Sequence, residues 1–164
     1  MDLRQDELNS MLKYDPLSGI LRWREGRSNM VKGSIAGGSH KSGYKIVGIE
    51  SKTYKAHRVI WIMLFGQIPN KFYIDHINGK KHDNRLENLR LATNSQNQQN
   101  RSAPKNSTSG YRGVTWHKAV NKWMARICYQ GQRKTIGFFD TAEDAYEAYK
   151  KEAKKLFTHI DRLP

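Results

Sequence analysis

Apolar side chains along the 164-residue chain fall into short groups whose spacing changes from stretch to stretch. Leu3, Leu8, Met11 and Leu12 form a weak helical stripe that stops at the turn cluster Tyr14-Asp15-Pro16-Leu17-Ser18-Gly19. Ile20-Leu21-Arg22-Trp23 reads as a strand. Gly33, Gly37, Gly38 and Gly43 punctuate a loop-rich stretch before a second strand at Tyr44-Lys45-Ile46-Val47-Gly48-Ile49. Thr53-Tyr54-Lys55-Ala56 opens either a further strand or the approach to a helix. Val59 to Phe65 predicts a buried helix ending at Gly66, with Pro69 beyond it. Phe72-Tyr73-Ile74 predicts a short strand running into Asp75-His76, and Asn78-Gly79 a tight turn. Leu86 to Ala92 predicts the return strand. Thr93 with Gln96 predicts a capping box heading a short polar helix.

The pattern then breaks. Arg101-Ser102-Ala103-Pro104-Lys105-Asn106-Ser107-Thr108-Ser109 is a linker by composition. Gly110 to His117, Lys122 to Tyr129 and Arg133 to Phe139 read as three strands, with turns at 118–121 and 130–132. A helix follows from Thr141, with Ala142, Ala145, Tyr146, Tyr149, Ala153 and Leu156 on one face. Thr141 and Asp144 form its cap; acids fill the first turn and lysines the last, as the helix dipole prefers. No internal repeat is visible. The expected class is α+β, with a β-rich N-terminal segment (1–55), a strand–turn–strand–helix core (56–100), the linker (101–108) and a three-stranded antiparallel sheet packed on one helix (109–158).

Charge sharpens this division. The net charge is +14, and residues 88–139 hold nine basic side chains with no Asp or Glu, interleaved with aromatics, Asn and Gln. That surface suits a polyanion, nucleic acid above all; the bland alternative is a basic ribosomal-type domain. The longest apolar run is seven residues, where a membrane span needs about 20. Neither that nor the acidic N-terminus suggests a membrane or secreted protein. Cys128 is the single cysteine, which excludes an internal disulfide and a cysteine-rich zinc site; it reads as a small core residue.

The chemistry gathers at Asp75-His76, Asn88 and Asn97. Asp75 and His76 end one strand, Asn88 starts the return strand, and Asn97 lies on the following helix. A carboxylate and an amide oxygen are hard donors suited to Mg²⁺ or Mn²⁺, not zinc, and a neutral imidazole beside them can deprotonate a water. An isolated Asp-His pair is more often a capped turn; the added Asn88 and Asn97 favour a site. His82 reads as a surface residue or phosphate contact rather than a second ligand. His57 either touches a phosphate or caps the apolar helix. Trp23 and Trp61 read as core.

The segments His57-Arg58-Val59-Ile60-Trp61, Ile74-Asp75-His76-Ile77-Asn78-Gly79-Lys80, Asn84-Arg85-Leu86-Glu87-Asn88-Leu89-Arg90-Leu91-Ala92-Thr93 and Gln96-Asn97 resemble the HNH endonucleases with the ββα-metal motif. The likeness is to the phage and intron homing type, in which the last histidine is replaced by asparagine. It implies that Asp75 and Asn97 bind one divalent ion, Mg²⁺ or Mn²⁺. It further implies that His76 is the general base and that Asn88 orients its loop. With Asn97 in place of histidine, a single carboxylate remains at the metal.

A second resemblance lies at 109–158. Ser109-Gly110-Tyr111-Arg112-Gly113-Val114-Thr115-Trp116, Lys122-Trp123-Met124-Ala125-Arg126-Ile127 and Ile136-Gly137-Phe138-Phe139-Asp140-Thr141-Ala142-Glu143-Asp144-Ala145 are similar to the DNA-binding domain of plant ethylene-response factors. That family enters the DNA major groove with its sheet. The resemblance makes Arg112, Trp116, Lys118, Arg126 and Arg133 the candidates for the DNA face, with Trp123 read as core. Arg126 replaces the usual acidic residue, so base preference does not transfer. Charge alone suggests that Arg22, Arg24, Arg27, Lys32 and Lys41 extend the contact surface; a structural role fits equally.

The expected protein is a site-specific, metal-dependent DNA endonuclease of homing type, acting on double-stranded DNA, nicking, and a monomer or homodimer. Its expected place is the cytoplasm, of a bacterial host if phage-encoded. The main alternative is a non-catalytic, sequence-specific DNA-binding protein with a decayed nuclease core. A nucleoid or RNA-binding protein is a third reading, disfavoured because the RNA major groove is too narrow for a sheet.

Overall fold

A computed structural model describes residues 3–26, 30–104 and 106–159. Its architecture is α+β, built from small antiparallel sheets and four helices among the described residues. The chain divides into two compact units, Met1–Asn94 and Ser95–Pro164.

In the first unit, helix α1 (Gln5–Met11) runs directly into β1 (Leu12–Asp15), which pairs with β2 (Ile20–Trp23). Leu12, expected on the helix, and Tyr14, expected in the turn, both lie in a strand, and the turn is confined to the residues after Asp15. Strands β3 (Gly38–Ser39), β4 (Lys45–Ile49) and β5 (Lys52–Lys55) form a meander that leads straight into α2 (Ala56–Phe65). Gly66 caps α2 with φ 80°, as the sequence predicts. Strands β6 (Phe72–His76) and β7 (Leu89–Thr93) form a two-stranded ribbon. The return strand is shorter than expected: Leu86–Asn88 is a 3₁₀ turn, so Asn88 sits just before β7 rather than in it. Thr93 likewise closes β7 instead of capping the next helix, α3 (Asn94–Gln99).

One apolar cluster joins Leu8, Leu12, Leu21, Trp23, Val47 and Ile49 to Val59, Ile60, Ile62 and Met63 of α2 and to Ile74 and Leu89 of the ribbon. The β-rich N-terminal segment and the ribbon thus share a core. Each fully buried aliphatic side chain contributes about 1.5–3 kcal/mol. This packing fixes the end of β6, where Ile74, Asp75 and His76 are all buried.

In the second unit, β8 (Val114–His117), β9 (Lys122–Tyr129) and β10 (Gln132–Phe139) form an antiparallel sheet in the order β10-β9-β8. Helix α4 (Ala142–Leu156) begins at the Thr141 cap, whose Oγ1 accepts from the Asp144 N–H at 3.1 Å. Val114, Ala125 and Ile127 pack against Ala142, Ala145, Tyr149 and Ala153 of α4. Gly113, with φ 74°, lies so close to α4 that a Cβ there would stand 2.4 Å from the Tyr149 ring. Cys128 departs from expectation: it is exposed, because its strand position faces away from α4. No described helix is long and apolar enough to cross a membrane.

Candidate active site and nucleic-acid interface

Asp75 and His76 sit side by side at the end of β6, yet alternation sends them to opposite faces of the ribbon. Asp75, 7% exposed, lies opposite Arg90 in the register, and its Oδ2 accepts from Arg90 Nε and Nη2 at 3.1 and 3.0 Å. His76, 5% exposed, shares a face with the core residue Ile74. Its ring meets His57 edge-on at 4.8 Å between centroids and tilts against Tyr44 at 6.0 Å.

His76 Nε2 lies 3.1 Å from Asn84 Oδ1. An amide oxygen only accepts, so Nε2 carries the ring proton and, in the neutral ring, Nδ1 carries the lone pair. Burial lowers the His76 pKa from its ordinary value, against the opposing pull of the Asn84 hydrogen bond and the charges of Asp75 and Asp83. The ring is held in its neutral, proton-accepting form.

The loop between the strands is tied down by two asparagines. Asn88 Oδ1 accepts from the Asn78 N–H at 2.9 Å, and its Nδ2 donates to the Asp83 carbonyl at 2.7 Å. Both sides of the Asn88 amide are therefore committed to backbone. Asp83 accepts from Asn78 Nδ2 and from Arg85 Nε and Nη2, and its carboxyl is held far below the usual range, chiefly by Arg85. Asn84 is 2% exposed, and its carbonyl accepts from the Tyr14 hydroxyl at 2.8 Å. Burial, helped by the Asp15 charge, pushes that phenol up to about 12. Gly19, with φ 72°, brings the β1–β2 turn against the backbone of Asn84 and Arg85; a Cβ would lie 2.6 Å from either. The N-terminal hairpin thus braces the residue that holds His76.

Sequence reasoning missed Asn84. The signal was present as a polar residue flanked by Asp83 and Arg85 in a loop that must close over a histidine. His57 is also placed differently from both expectations. It lies in the first turn of α2 at 4% exposure, so it neither meets a phosphate nor caps the helix, whose N-cap is Lys55. Its Nδ1 is buried without a hydrogen-bond partner, and burial followed by the nearby His76 lowers its pKa to about 3. Asn97 lies half-buried on α3, in the second compact unit. Among the described residues no three His, Cys, Asp or Glu side chains cluster to hold a metal. A divalent ion at Asp75 would rest on one carboxylate, amide oxygen and water, a donor set that fits Mg²⁺ or Mn²⁺ and not zinc.

In the second unit the five DNA-face candidates separate. Arg126 and Arg133 are exposed and stand on the side of the sheet away from α4, since Ala125 and Ile127 face the helix. Trp116 pairs with Trp123 in the register and stacks edge-on with it at 5.2 Å, which puts it on the α4 side, at the strand's end and 40% exposed. Lys118 is exposed in the β8–β9 turn. Arg112 Nη1 donates to the Gln99 carbonyl and, at 2.8 Å, to the Arg101 carbonyl. Those bonds tie Arg112 to its own chain. Trp123 packs on the core, as expected. Of the N-terminal basic residues, Arg22 and Arg24 donate to the carbonyls of Gly33 and Leu12, Lys32 pairs with Glu25, and Arg27 lies outside the described residues.

Residues 54–99 match the family model described as HNH endonuclease. Protein 3.8 of Escherichia phage T7 is 35% identical over 92 residues, covering 56% of this chain and 76% of that protein. An uncharacterized HNH endonuclease, L560, of Acanthamoeba polyphaga mimivirus is 35% identical over 118 residues, covering 71% of this chain and 60% of that protein. The AP2-like ethylene-responsive transcription factor TOE2 of Arabidopsis thaliana is 38% identical over 56 residues, 34% of this chain and 12% of that protein.

Proposed function

From the match of residues 54–99 to the HNH endonuclease family model, we propose that this chain is a site-specific, homing-type DNA endonuclease that nicks double-stranded DNA with one divalent ion. The observation that carries the reading is His76, buried, neutral and pinned through Nε2–H to Asn84 Oδ1 at 3.1 Å, next in sequence to Asp75.

Nδ1 of His76 takes a proton from a water, and the hydroxide attacks the phosphorus of a DNA phosphodiester. The bond from phosphorus to the 3′ oxygen breaks and that oxygen takes a proton from solvent water, leaving a 5′-phosphate and a 3′-hydroxyl. Asp75 and Asn97 are the residues that would hold the ion, Mg²⁺ or Mn²⁺, which supplies charge stabilisation at the phosphate and leaving oxygen. Asn88 acts as a positioning residue through the loop backbone it clamps. The likeness of residues in the second unit to the AP2-like factor, together with exposed Arg126 and Arg133, supports a duplex-binding role for that sheet. One site per chain favours a nick by a monomer acting in the cytoplasm.

A supercoiled-plasmid assay tests this, with Mg²⁺, Mn²⁺ or EDTA and with source-genome DNA included. Open-circle product that requires the ion and is lost in His76→Ala and Asn97→Ala is expected. Intact DNA in every condition, with tight duplex binding retained, would replace the enzyme by a DNA-binding protein with a decayed core.

A further inference from the structure

Strict alternation from Arg133 along β10 would put Thr135, Gly137 and Phe139 on its face, and Lys134, Ile136 and Phe138 on the other. The register departs from this. Thr135 pairs with Arg126 and Gly137 with Ala125, so Ile136 is an extra residue, a β-bulge. Beyond it the phase reverses. Ile136 and Phe139 pack into the core, while Phe138 joins Arg133 and Thr135 on the side away from α4. There it pairs with Met124, which pairs in turn with Thr115, giving the cross-strand row Thr115–Met124–Phe138.

This row lies outside the unit's core cluster, and Phe138 is 45% exposed. His117, whose buried Nδ1 has no hydrogen-bond partner, rests edge-on against the Phe138 ring at 5.3 Å. The next row along the same face is Arg126–Thr135, and the one after it is Cys128–Arg133. One face therefore carries an apolar row beside a cationic one.

We propose that the Thr115–Met124–Phe138 row is a specificity element that receives thymine C5-methyl groups in the major groove of duplex DNA. The inference rests on the duplex-binding reading of this sheet. The chemistry selects the ligand: of the four bases only thymine offers a methyl group in that groove, whereas arginine seeks guanine acceptors or phosphate. Successive outward residues on a strand stand about 6.8 Å apart, close to two base steps of about 3.4 Å each. The favoured thymine lies about two base pairs from the contact of Arg126. Met124, unbranched and polarisable, can adjust to the methyl's position.

The test uses the full chain carrying His76→Ala, in EDTA, so that bound DNA stays intact. A preferred duplex is enriched from a random pool, and each thymine is then exchanged singly for deoxyuridine, which removes only the methyl group. One or two exchanges should weaken binding about three- to fivefold, the scale of one buried methyl. Adding Phe138→Ala or Met124→Ala should weaken the thymine duplex by a similar factor and abolish the difference between thymine and uracil. Three results would overturn the proposal: an enriched site without thymine, no exchange that matters beyond 1.5-fold, or a methyl effect that persists undiminished in both variants. Absence of any salt-dependent duplex binding would instead remove the duplex reading itself, and the proposal with it. The deoxyuridine arm alters the DNA alone, so misfolding of a variant cannot produce it.

Discussion

The first unit hides its chemistry and the second displays it. Asp75, His76, Asn84 and Asn88 are each below 8% exposed, and each side chain makes a hydrogen bond to a neighbour in the same ribbon or loop. Arg126, Arg133 and Phe138 stand exposed, and none of them belongs to the unit's core cluster. The two arrangements suit different tasks. Proton transfer requires a ring with one tautomer and one orientation, which burial and hydrogen bonds enforce. Reading a groove requires side chains that reach outward and exchange water for base edges.

The strongest way to break the comparison is Gly113→Ala. A Cβ there would meet the Tyr149 ring at 2.4 Å and the Arg126 carbonyl oxygen at 2.8 Å, in a backbone with φ 74°. The change should destabilise the second unit by about 3–5 kcal/mol. Duplex affinity, read by fluorescence anisotropy, should fall at least about 100-fold. Metal-dependent nicking should fall as well, because Asn97, the second proposed metal ligand, belongs to the same unit; nicking that survives at high enzyme concentration would take Asn97 out of the metal site.

Asn84→Ala comes next and attacks the hidden side. It removes the acceptor of His76 Nε2 and should slow nicking about 10- to 100-fold, the usual cost of losing a partner of a working side chain. Duplex affinity should stay within twofold. An equal loss of affinity would assign Asn84 to binding instead.

His57→Phe probes what burial costs. Burial, followed by the nearby His76, lowers the pKa of His57 from its ordinary 6.5 to about 3 in the folded chain, so the unfolded chain takes up this proton first on acidification. The contribution of neutral His57 to stability is complete above pH 6.5 and is lost as pH falls from 6.5 toward 3, at about 1 kcal/mol per pH unit. Phenylalanine has no proton to gain. The variant's melting temperature should decline less steeply between pH 6.5 and 4; parallel curves would show that His57 is not the group responsible. Smallest of all, Arg126→Ala and Arg133→Ala should each weaken duplex binding a few-fold and reduce the salt slope by about 1. Unchanged slopes would place phosphate contact elsewhere.

How much of this was legible in the sequence follows from the range of the forces involved. Local signals sufficed for β2, α2 up to Gly66, β9 and the Thr141-capped α4, since apolar spacing and capping chemistry act within a few residues. They failed where a distant partner decides. Tyr14 reads as part of a turn, yet it extends as a strand that pairs with Leu21 and bonds the Asn84 carbonyl, 70 residues away. Asn84 and the burial of His57 depend on the same long-range packing. Cys128 was misjudged as core because its small apolar side chain suggests burial, although alternation with Ile127 sends it outward; Phe138 went unnoticed because alternation along β10 has to be counted through a bulge that no residue type announces.

That bulge has a consequence for inheritance. A strand whose phase changes at Ile136 holds two sets of positions under separate selection. Ile136 and Phe139 are constrained by the volume they fill, whereas Arg133, Thr135 and Phe138 leave the packing indifferent to what replaces them. The outward set can therefore vary by point substitution at less risk to the fold than the inward set. Loss of the residue at 136 would remove the bulge yet leave Thr135 and Phe138 facing out and Gly137 and Phe139 facing the core, so the extra residue adds bulk to the packed side without changing which side chains the strand displays.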